Sequence, residues 1–487
     1  MKINYLYIIK TLGLILVFET FFLLITTFVA FVYDGEDVFP LLISSGIMLG
    51  AGVAFFLTGR KADEYQAGRR EGMLTVALTW IVLSFFGMLP FLLGGYIKNV
   101  TDAFFETMSG FTTTGATIIN DLDTLPKGIL FWRSLTQWQG GMGVIVFTAA
   151  LLPMFGGGAS HLYDSETTGF SHERFRPRVT QVAKRLSGIY LAFTAIITFL
   201  LWLGPMDFFD AVNHAMSSVS TGGYSTKNDS VAYWNSSYIE YVLMFSMCVG
   251  SLKLSLIYFA FKGNFKQLRK DEETEWFLLY LLFFIVVTAV WLFYKNYDSA
   301  SEHVAETIRR SAFQVISLAS TTGFTIVDYV SWGQFYWLIA VILMLICGCG
   351  GSTSGGIKMG RALIVIKNIM NEFRKQTHPA AVLPVRVNGK ALSQETIYRV
   401  HVFVVVYFLI IGVSWAILLL SGLSFDEALG TAMTAIGNVG PSPGLFEHGY
   451  IYNIPDAAKW YVSFLMLTGR LELFTVITLL MPGFWKR

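Results

Sequence analysis

Charged residues are scarce in this chain. Only 14% of its 487 residues are Asp, Glu, Lys or Arg, whereas 54% are hydrophobic. Soluble domains carry roughly 25% charged residues, so this composition excludes an ordinary soluble fold and predicts an integral membrane protein in the lipid bilayer. The formal net charge is only +2, and we therefore predict no nucleic-acid partner.

Residues that build ordinary catalytic or metal sites are also few. The three cysteines, Cys248, Cys347 and Cys349, lie in apolar stretches and form neither a disulfide framework nor a CxxC pattern, so we interpret them as packing residues. No two of the seven histidines are four residues apart, and HExxH, GxSxG and GxxxxGK[ST] are missing. We therefore predict that the chain is not an enzyme and binds no organic cofactor.

Long apolar segments recur along the whole chain. A helix needs about 20 such residues to cross the hydrocarbon of a bilayer. Ten segments qualify, near 7–33, 38–58, 73–95, 131–153, 187–204, 238–261, 276–294, 335–366, 399–421 and 459–481. Lys and Arg collect after the even-numbered segments and at the end of the chain, which predicts a multi-pass topology with both termini cytoplasmic.

A short amphipathic segment that ends on glycine occurs four times in the sequence. The copies are Ala103–Gly115, Ala211–Gly222, Ala312–Gly323 and Ala428–Gly440, and their last glycines are 107, 101 and 117 residues apart. Each copy lies between two full spans on the predicted outer side. A helix over about 101–113 would be ~20 Å long, half the bilayer. We therefore predict four re-entrant loops.

These loops favour a cation filter. Non-helical backbone at membrane depth is tolerated only inside protein or along a water-filled cavity. Carbonyl groups there can replace the hydration shell of a cation, glycine permits the necessary backbone angles, and the helix C-termini carry partial negative charge. One Ser/Thr-Thr-Gly turn is a common helix end, but four on one face at near-constant spacing predict a filter.

At these residues the chain resembles the Trk/Ktr/HKT superfamily of potassium transporters, most closely its TrkH-type membrane subunits. The resemblance covers nearly the whole chain. Its most specific parts are Ser109–Thr117, Phe131–Val144, Ser320–Phe324, Gly348–Lys358, His378–Gly389, Asn438–Pro441 and Gly469–Glu472. It implies an all-α polytopic membrane protein, with two leading helices and four helix–pore loop–helix repeats in pseudo-fourfold symmetry around one pore.

This interpretation divides the chain into six segments. They are two N-terminal helices (1–70), repeat 1 (71–155), a cytoplasmic loop with repeat 2 (156–262), repeat 3 with an intramembrane gating loop at 347–357 (263–366), a cytoplasmic segment (367–398) and repeat 4 (399–487).

The resemblance implies that K⁺ is the transported ion and that each loop gives three residues to the filter. The four sets are Thr113, Thr114 and Gly115; Ser220, Thr221 and Gly222; Thr321, Thr322 and Gly323; and Asn438, Val439 and Gly440. The resemblance also implies that glycine at all four key positions, Gly115, Gly222, Gly323 and Gly440, favours potassium over sodium. The fourth loop departs from the Ser/Thr-Thr-Gly pattern, so we expect fewer well-formed ion sites than in tetrameric channels.

Small residues interrupt the eighth apolar segment between about 347 and 357. Such a composition forms helix poorly and predicts an irregular loop, although small residues also permit close helix packing. The resemblance implies a gate beneath the filter. Its residues are Gly348, Gly350, Gly351, Ser352, Thr353, Ser354, Gly355, Gly356 and Lys358, together with Arg470.

Arg470 and Lys253 are two of the charged residues within the predicted spans. A charge such as that of Arg470 costs at least ~2.5 kcal/mol at mid-membrane. The resemblance places Arg470 in the pore as an electrostatic barrier, while an ion pair between helices is the alternative. Glu472 is a poor partner because it is only two residues away. Lys253 departs from the expected pattern, and we leave open whether it snorkels, pairs with an acid or tunes conduction.

The resemblance also implies partners and a location. The segment 367–398, with the other inner loops, would dock a cytosolic nucleotide-binding ring of TrkA type; a simple basic connector is the alternative. We also expect a homodimer in the bacterial inner membrane.

The sequence therefore predicts potassium uptake through a channel-like pore. One alternative is an ion-coupled secondary transporter, moving K⁺ with Na⁺ or H⁺, or an organic substrate, which predicts inverted repeats. Here the repeats keep one orientation. A polytopic membrane enzyme would need clustered carboxylates or histidines within the spans, and we find none in the sequence.

Overall fold

The computed structural model describes residues 3–33, 35–62, 68–151, 179–296, 303–440 and 454–486. The first ten helices are α1 (Tyr5–Val32), α2 (Val38–Thr58), α3 (Arg69–Gly87), α4 (Leu89–Leu93), α5 (Val100–Phe111), α6 (Lys127–Leu151), α7 (Val179–Trp202), α8 (Phe208–Val219), α9 (Ser237–Gly250) and α10 (Leu254–Phe261). The next ten are α11 (Phe265–Lys270), α12 (Glu272–Lys295), α13 (Val304–Ala319), α14 (Gln334–Leu345), α15 (Met359–Thr377), α16 (Gln394–Leu420), α17 (Phe425–Gly437), α18 (Asp456–Arg470), α19 (Leu473–Leu480) and α20 (Pro482–Trp485).

Short strands and 3₁₀ turns complete the described elements. They are β1 (Ile346–Cys347), β2 (Ile357–Lys358), β3 (Arg386–Val387), β4 (Lys390–Ala391) and the turns Ser230–Trp234 and Val330–Trp332. Strand β1 pairs with β2 in parallel, and β3 pairs with β4 in antiparallel orientation.

Six described helices are long and apolar enough to cross a membrane. They are Tyr5–Val32, Val38–Thr58, Arg70–Leu93, Lys184–Trp202, Glu272–Lys295 and Gln394–Leu420. Two further pairs qualify if each is one broken span: α9 with α10, bent by 112°, and α18 with α19, bent by 118°. The described part of the chain therefore holds up to eight such spans. The predicted fourth span falls largely on α6.

Three of the predicted spans are not continuous helices. The segments 238–261 and 459–481 are each broken, at the buried Lys253 and at Glu472, whose φ of +59° cannot continue a right-handed helix. The segment 335–366 is also interrupted: α14 is only 12 residues long, and an irregular segment separates it from α15. Hydropathy measures the apolar composition of a segment and does not detect these breaks.

Four short helices, α5, α8, α13 and α17, fall on the four repeated segments of the sequence analysis. They have 12, 12, 16 and 13 residues, as the half-length helices of the sequence analysis require. Polar residues start at least three of them: Asn99 accepts a hydrogen bond from the Thr101 amide, Asp207 accepts one from the Asp210 amide, and the Ser424 amide donates to Glu427 at the start of α17. Their buried faces join the largest apolar cluster of the described chain, so they lie in the protein interior.

The glycine-rich segment after α14 is irregular, as predicted. It forms no helix between β1 and β2, whose pairing of Ile346 with Ile357 and of Cys347 with Lys358 closes the segment at its base. On the predicted cytoplasmic side, β3 and β4 form a short hairpin. Its turn residues Asn388 and Gly389 have φ of 51° and 75°, the signs that a type I′ turn requires.

Candidate ion filter and gate

The four short helices end in the same way. A residue with positive φ follows each helix, and the amide of the next residue donates to the carbonyl five residues back, at 2.8–3.1 Å. This is the Schellman helix end. The residues with positive φ are Thr113, Thr221, Thr321 and Asn438, and the amide donors are Thr114, Gly222, Thr322 and Val439. A glycine with φ between 78° and 89° comes next in each loop: Gly115, Gly223, Gly323 and Gly440.

This pattern corrects the register of the second loop. The sequence interpretation took Ser220, Thr221 and Gly222 as its three residues, but the positive φ angles fall on Thr221 and Gly223. The equivalent set is therefore Thr221, Gly222 and Gly223. Two adjacent glycines left the sequence match ambiguous, because only the backbone angles show which of them takes the left-handed conformation.

Close contacts join loop 1 to loop 2, loop 2 to loop 3 and loop 4 to loop 1, and we call this arrangement the ring of loops. A Cβ added to Gly115 would overlap the carbonyl oxygen of Gly222 in loop 2, and one added to Gly223 would overlap that of Thr322 in loop 3. A Cβ on Gly440 would lie 2.6 Å from the carbonyl oxygen of Thr114, which closes loop 4 against loop 1. Each contact joins the glycine of one loop to the middle residue of the next. Only glycine fits these positions, by both space and φ.

The fourth loop differs from the others in its side chains. Asn438 donates from Nδ2 to Thr114 Oγ1 and to the Met466 carbonyl, both at 2.9 Å, and Val439 carries no hydroxyl. The ring is therefore chemically asymmetric, as the sequence predicted. Within the described residues no group of three or more His, Cys, Asp or Glu side chains could hold a metal ion. A cation in this ring would meet carbonyl and hydroxyl oxygens.

The glycine-rich segment packs against the ring where the short helices end. Thr353 Oγ1 donates to the carbonyls of Val219 and Gly250, at 3.3 and 3.2 Å, and lies 3.3 Å from Thr221 Oγ1. The Gly355 amide donates to Thr321 Oγ1 at 3.0 Å. The segment thus contacts the first residues of loops 2 and 3.

Gly355 and Lys358 continue these contacts. A Cβ on Gly355 would overlap the carbonyl of Gly437 and lie 3.0 Å from Asn438 Cβ, so the segment also reaches loop 4. Lys358 donates back to the Ser354 carbonyl within the segment. The predicted gate residues are therefore brought together beneath the ring, on the side facing the helix ends.

Arg470 ties this segment to α6. Its guanidinium donates from Nη1 to the Thr353 carbonyl at 2.7 Å and from Nη2 to the Gly140 carbonyl at 2.9 Å. Gly140 in turn packs against the Phe111 carbonyl at the end of α5. Glu472 pairs with Arg361 instead, at 2.7 Å, and within the described ranges no ion pair involves Arg470. Backbone carbonyls are thus its acceptors, and the ion-pair alternative finds no support there.

Lys253 pairs with acids, one of the three open alternatives. Its Nζ lies 2.8 Å from Asp271 Oδ1 and 2.7 Å from Glu273 Oε2, and all three side chains are buried. Burial alone would raise the pKa of Asp271, but the Lys253 ammonium and hydrogen bonds outweigh it and hold that pKa below its ordinary value. The acidic triplet at 271–273 was the available signal in the sequence.

Glu273 also holds the base of the glycine-rich segment. Its Oε1 accepts the amides of Gly350, at 2.7 Å, and Gly360, at 2.8 Å. Sequence reasoning missed this anchor because its members are separated by 77 and 87 residues. It also missed the side chains of α6 that lie behind loops 1 and 2, although they belong to the motif Phe131–Val144.

Comparisons with known proteins agree with this geometry. A family model described as a cation transport protein, TrkH, matches residues 43–486. The Trk system potassium uptake protein TrkH of Halomonas elongata is 32% identical over 99% of both chains. That of Vibrio parahaemolyticus is 35% identical over 98% of this chain and 99% of its own, and that of Escherichia coli K12 is 34% identical over 93% and 96%.

A solved structure confirms the fold. The crystal structure of the potassium transporter TrkH from Vibrio parahaemolyticus superimposes with a TM-score of 0.89 at 32% identity, covering 99% of this chain and 100% of that one. The predicted all-α polytopic membrane fold is therefore confirmed. Because the family model spans most of the chain and the relatives share its full length, this chain belongs to the TrkH family of cation transport proteins.

Proposed function

We propose that this protein takes up potassium across the bacterial inner membrane through one channel-like pore, with both termini cytoplasmic. The observation that carries the proposal is the ring of four loops with a shared backbone pattern. The curated relatives are named as potassium uptake proteins of the Trk system. The divisions at 70, 155, 262, 366 and 398 remain our proposed boundaries of the helical pair, the four repeats and the cytoplasmic segment.

The ring suits a partly dehydrated cation. Four helix C-termini meet at it, and each contributes partial negative charge. The capping bonds occupy amides of the loops, so carbonyl oxygens and threonine hydroxyls are the groups left for an ion. Because Asn438 and Val439 replace the hydroxyl-bearing residues in loop 4, and Gly222 is the middle residue of loop 2, we expect modest selectivity and few ion sites.

The segment 347–357 is proposed as the gate. It contacts loops 2, 3 and 4 at their first residues, and Arg470 fixes it to α6 near the end of the first pore helix. A cation that leaves the ring on this side would meet the segment and the Arg470 charge. Displacing the segment would open the path.

A cytosolic partner could act on this gate through a chain of contacts. The hairpin residue Asn388 accepts the Glu272 amide at 2.7 Å and donates from Nδ2 to Asp271 Oδ1 at 3.1 Å. Asp271 binds Lys253, Lys253 binds Glu273, and Glu273 holds the Gly350 amide. We propose that a nucleotide-binding ring of TrkA type docks the segment 367–398 of a homodimer and acts along this path.

Ion flux from liposomes tests the proposal. The purified protein should pass potassium, in preference to sodium, under an imposed membrane potential without any sodium or proton gradient, and a nucleotide-loaded partner ring should increase the flux. Potassium movement that requires a sodium or proton gradient would favour the coupled transporter. If no cation flux occurs under a membrane potential, either with or without the nucleotide-binding partner ring, the channel proposal is contradicted.

Weakening the anchor of the gate should loosen it. Glu273→Gln keeps the side-chain shape but loses the charge that pairs with Lys253, and charge-assisted bonds are roughly twice as strong as neutral ones. We expect potassium flux in the absence of the cytosolic partner to rise about two- to threefold. We also expect the flux to depend less on the nucleotide-binding partner ring. Glu275→Gln, on the exposed side of the same helix, is the control. Equal flux in both variants would contradict the path.

A further inference from the structure

Gln137 of α6 lies fully buried behind loops 1 and 2. Its amide binds loop 2 on both sides of Gly223: Nε2 donates to the Gly222 carbonyl at 2.8 Å, and the Tyr224 amide donates to Oε1 at 3.0 Å. One side chain therefore holds both peptide groups that flank the positive-φ glycine.

The oxygen that Gln137 holds is also the contact between the two loops. A Cβ on Gly115 would overlap the Gly222 carbonyl oxygen, and a Cβ on Gly222 would overlap the Gln137 amide. Gln137, Gly222 and Gly115 thus pack against one another, because a Cβ on Gly115 would also lie 3.7 Å from Gln137 Nε2. Any shift of the glutamine amide is passed to the spacing of the two loops.

Arg133, one turn earlier on α6, helps to hold the residues that follow Gly115 in loop 1 and Gly223 in loop 2. It pairs with Glu106 at 2.9 Å, and both side chains are almost fully buried. Its Nη1 donates to the Ser225 carbonyl at 3.2 Å, while Glu106 accepts the Ile118 amide at 3.0 Å. The hydroxyl of Tyr224 donates to the Glu106 carbonyl at 2.8 Å. Loops 1 and 2 are therefore fastened to each other and to α6.

We propose that Gln137 is a specificity-determining positioning residue for potassium over sodium. Whether ions are told apart by cavity size or by the number and strength of carbonyl dipoles, selection depends on where the oxygens are held. Gln137 fixes the Gly222 and Gly223 peptides of loop 2 against Gly115, and it acts through them without touching the ion. This inference rests on the proposed function, because it concerns the selectivity of that pore.

The test compares ion selectivity in three variants. Gln137→Met keeps the length of the side chain and removes both hydrogen bonds. We expect the potassium-to-sodium permeability ratio, from reversal potentials in liposomes, to fall about fivefold or more, since two buried hydrogen bonds are lost, while potassium still permeates. Gln139→Met is the matched control, because Gln139 lies on the same helix but neighbours Glu19 of α1. Its ratio should stay unchanged.

Tyr224→Phe provides a second test from the loop side, since it removes the hydroxyl that donates to the Glu106 carbonyl at 2.8 Å and lies 3.4 Å from the Ala116 carbonyl. We expect the potassium-to-sodium permeability ratio to fall about twofold. If Gln137→Met does not fold, the result for Tyr224→Phe tests the inference in its place. An unchanged ratio in the folded Gln137→Met protein, or an equal fall in Gln139→Met, would overturn the inference while leaving the proposed function intact. Absence of potassium flux in the unsubstituted protein would overturn both.

Discussion

Gly115→Ser is expected to lower the potassium-over-sodium permeability ratio at least tenfold. The serine Cβ would overlap the Gly222 carbonyl oxygen, and the backbone at this position has φ of 82°, which L-residues rarely adopt. Such strain costs on the order of 1–3 kcal/mol, so loops 1 and 2 must move apart at the proposed ion path. Reversal potentials under potassium and sodium gradients would measure the change.

Gly95→Ser separates backbone strain from the contact between loops. Gly95 has a similar φ of 71°, but a Cβ there would meet no atom within 4 Å. We expect this variant to lose some stability and to keep its selectivity. If Gly115→Ser folds with an unaltered ratio, or if Gly95→Ser changes the ratio as much, the assignment of loop 1 to the filter is wrong.

Local signals in the sequence were sufficient to predict the four short helices. Amphipathic stretches of about a dozen residues that end on threonine and glycine determine both the length of the helix and the turn after it. The register of loop 2 was not predictable, because Gly222 fits the Ser/Thr-Thr-Gly pattern better than Gly223, although Gly223 takes the equivalent backbone conformation. Their difference arises from contact with Thr322 of loop 3, which is a long-range property.

The breaks in two spans show a second limit of sequence reasoning. Hydropathy averages a window, and the apolar residues around Lys253 and Glu472 dominate it. The partners that stabilise these charges, Asp271 and Glu273 for one and Arg361 for the other, lie on different helices. The sequence therefore indicated unusual residues at the site but could not give their contacts.

Arg470→Ala is expected to increase partner-free potassium flux about tenfold or more. The substitution removes the two hydrogen bonds that tie the Thr353 carbonyl to α6, and hydrogen bonds to charged groups contribute about 1.5–3 kcal/mol each. It also removes a buried positive charge from the proposed exit of the filter. Each 1.4 kcal/mol taken from the barrier corresponds to about tenfold in rate. Potassium flux from liposomes, without the regulatory ring, would measure it.

Two further substitutions separate the tether from the charge. Arg470→Lys keeps the positive charge but lacks the planar guanidinium that reaches both the Thr353 and Gly140 carbonyls. A flux near that of Arg470→Ala would assign the barrier to this hydrogen-bonded tether. A flux near that of the unsubstituted protein would assign the barrier to the charge. Arg309→Ala is the control, because Arg309 pairs with Glu240 away from the segment 347–357. Flux that stays at the unsubstituted level in folded Arg470→Ala would show that Arg470 is only structural, since neither a tether nor a charge on the ion path could be removed without effect.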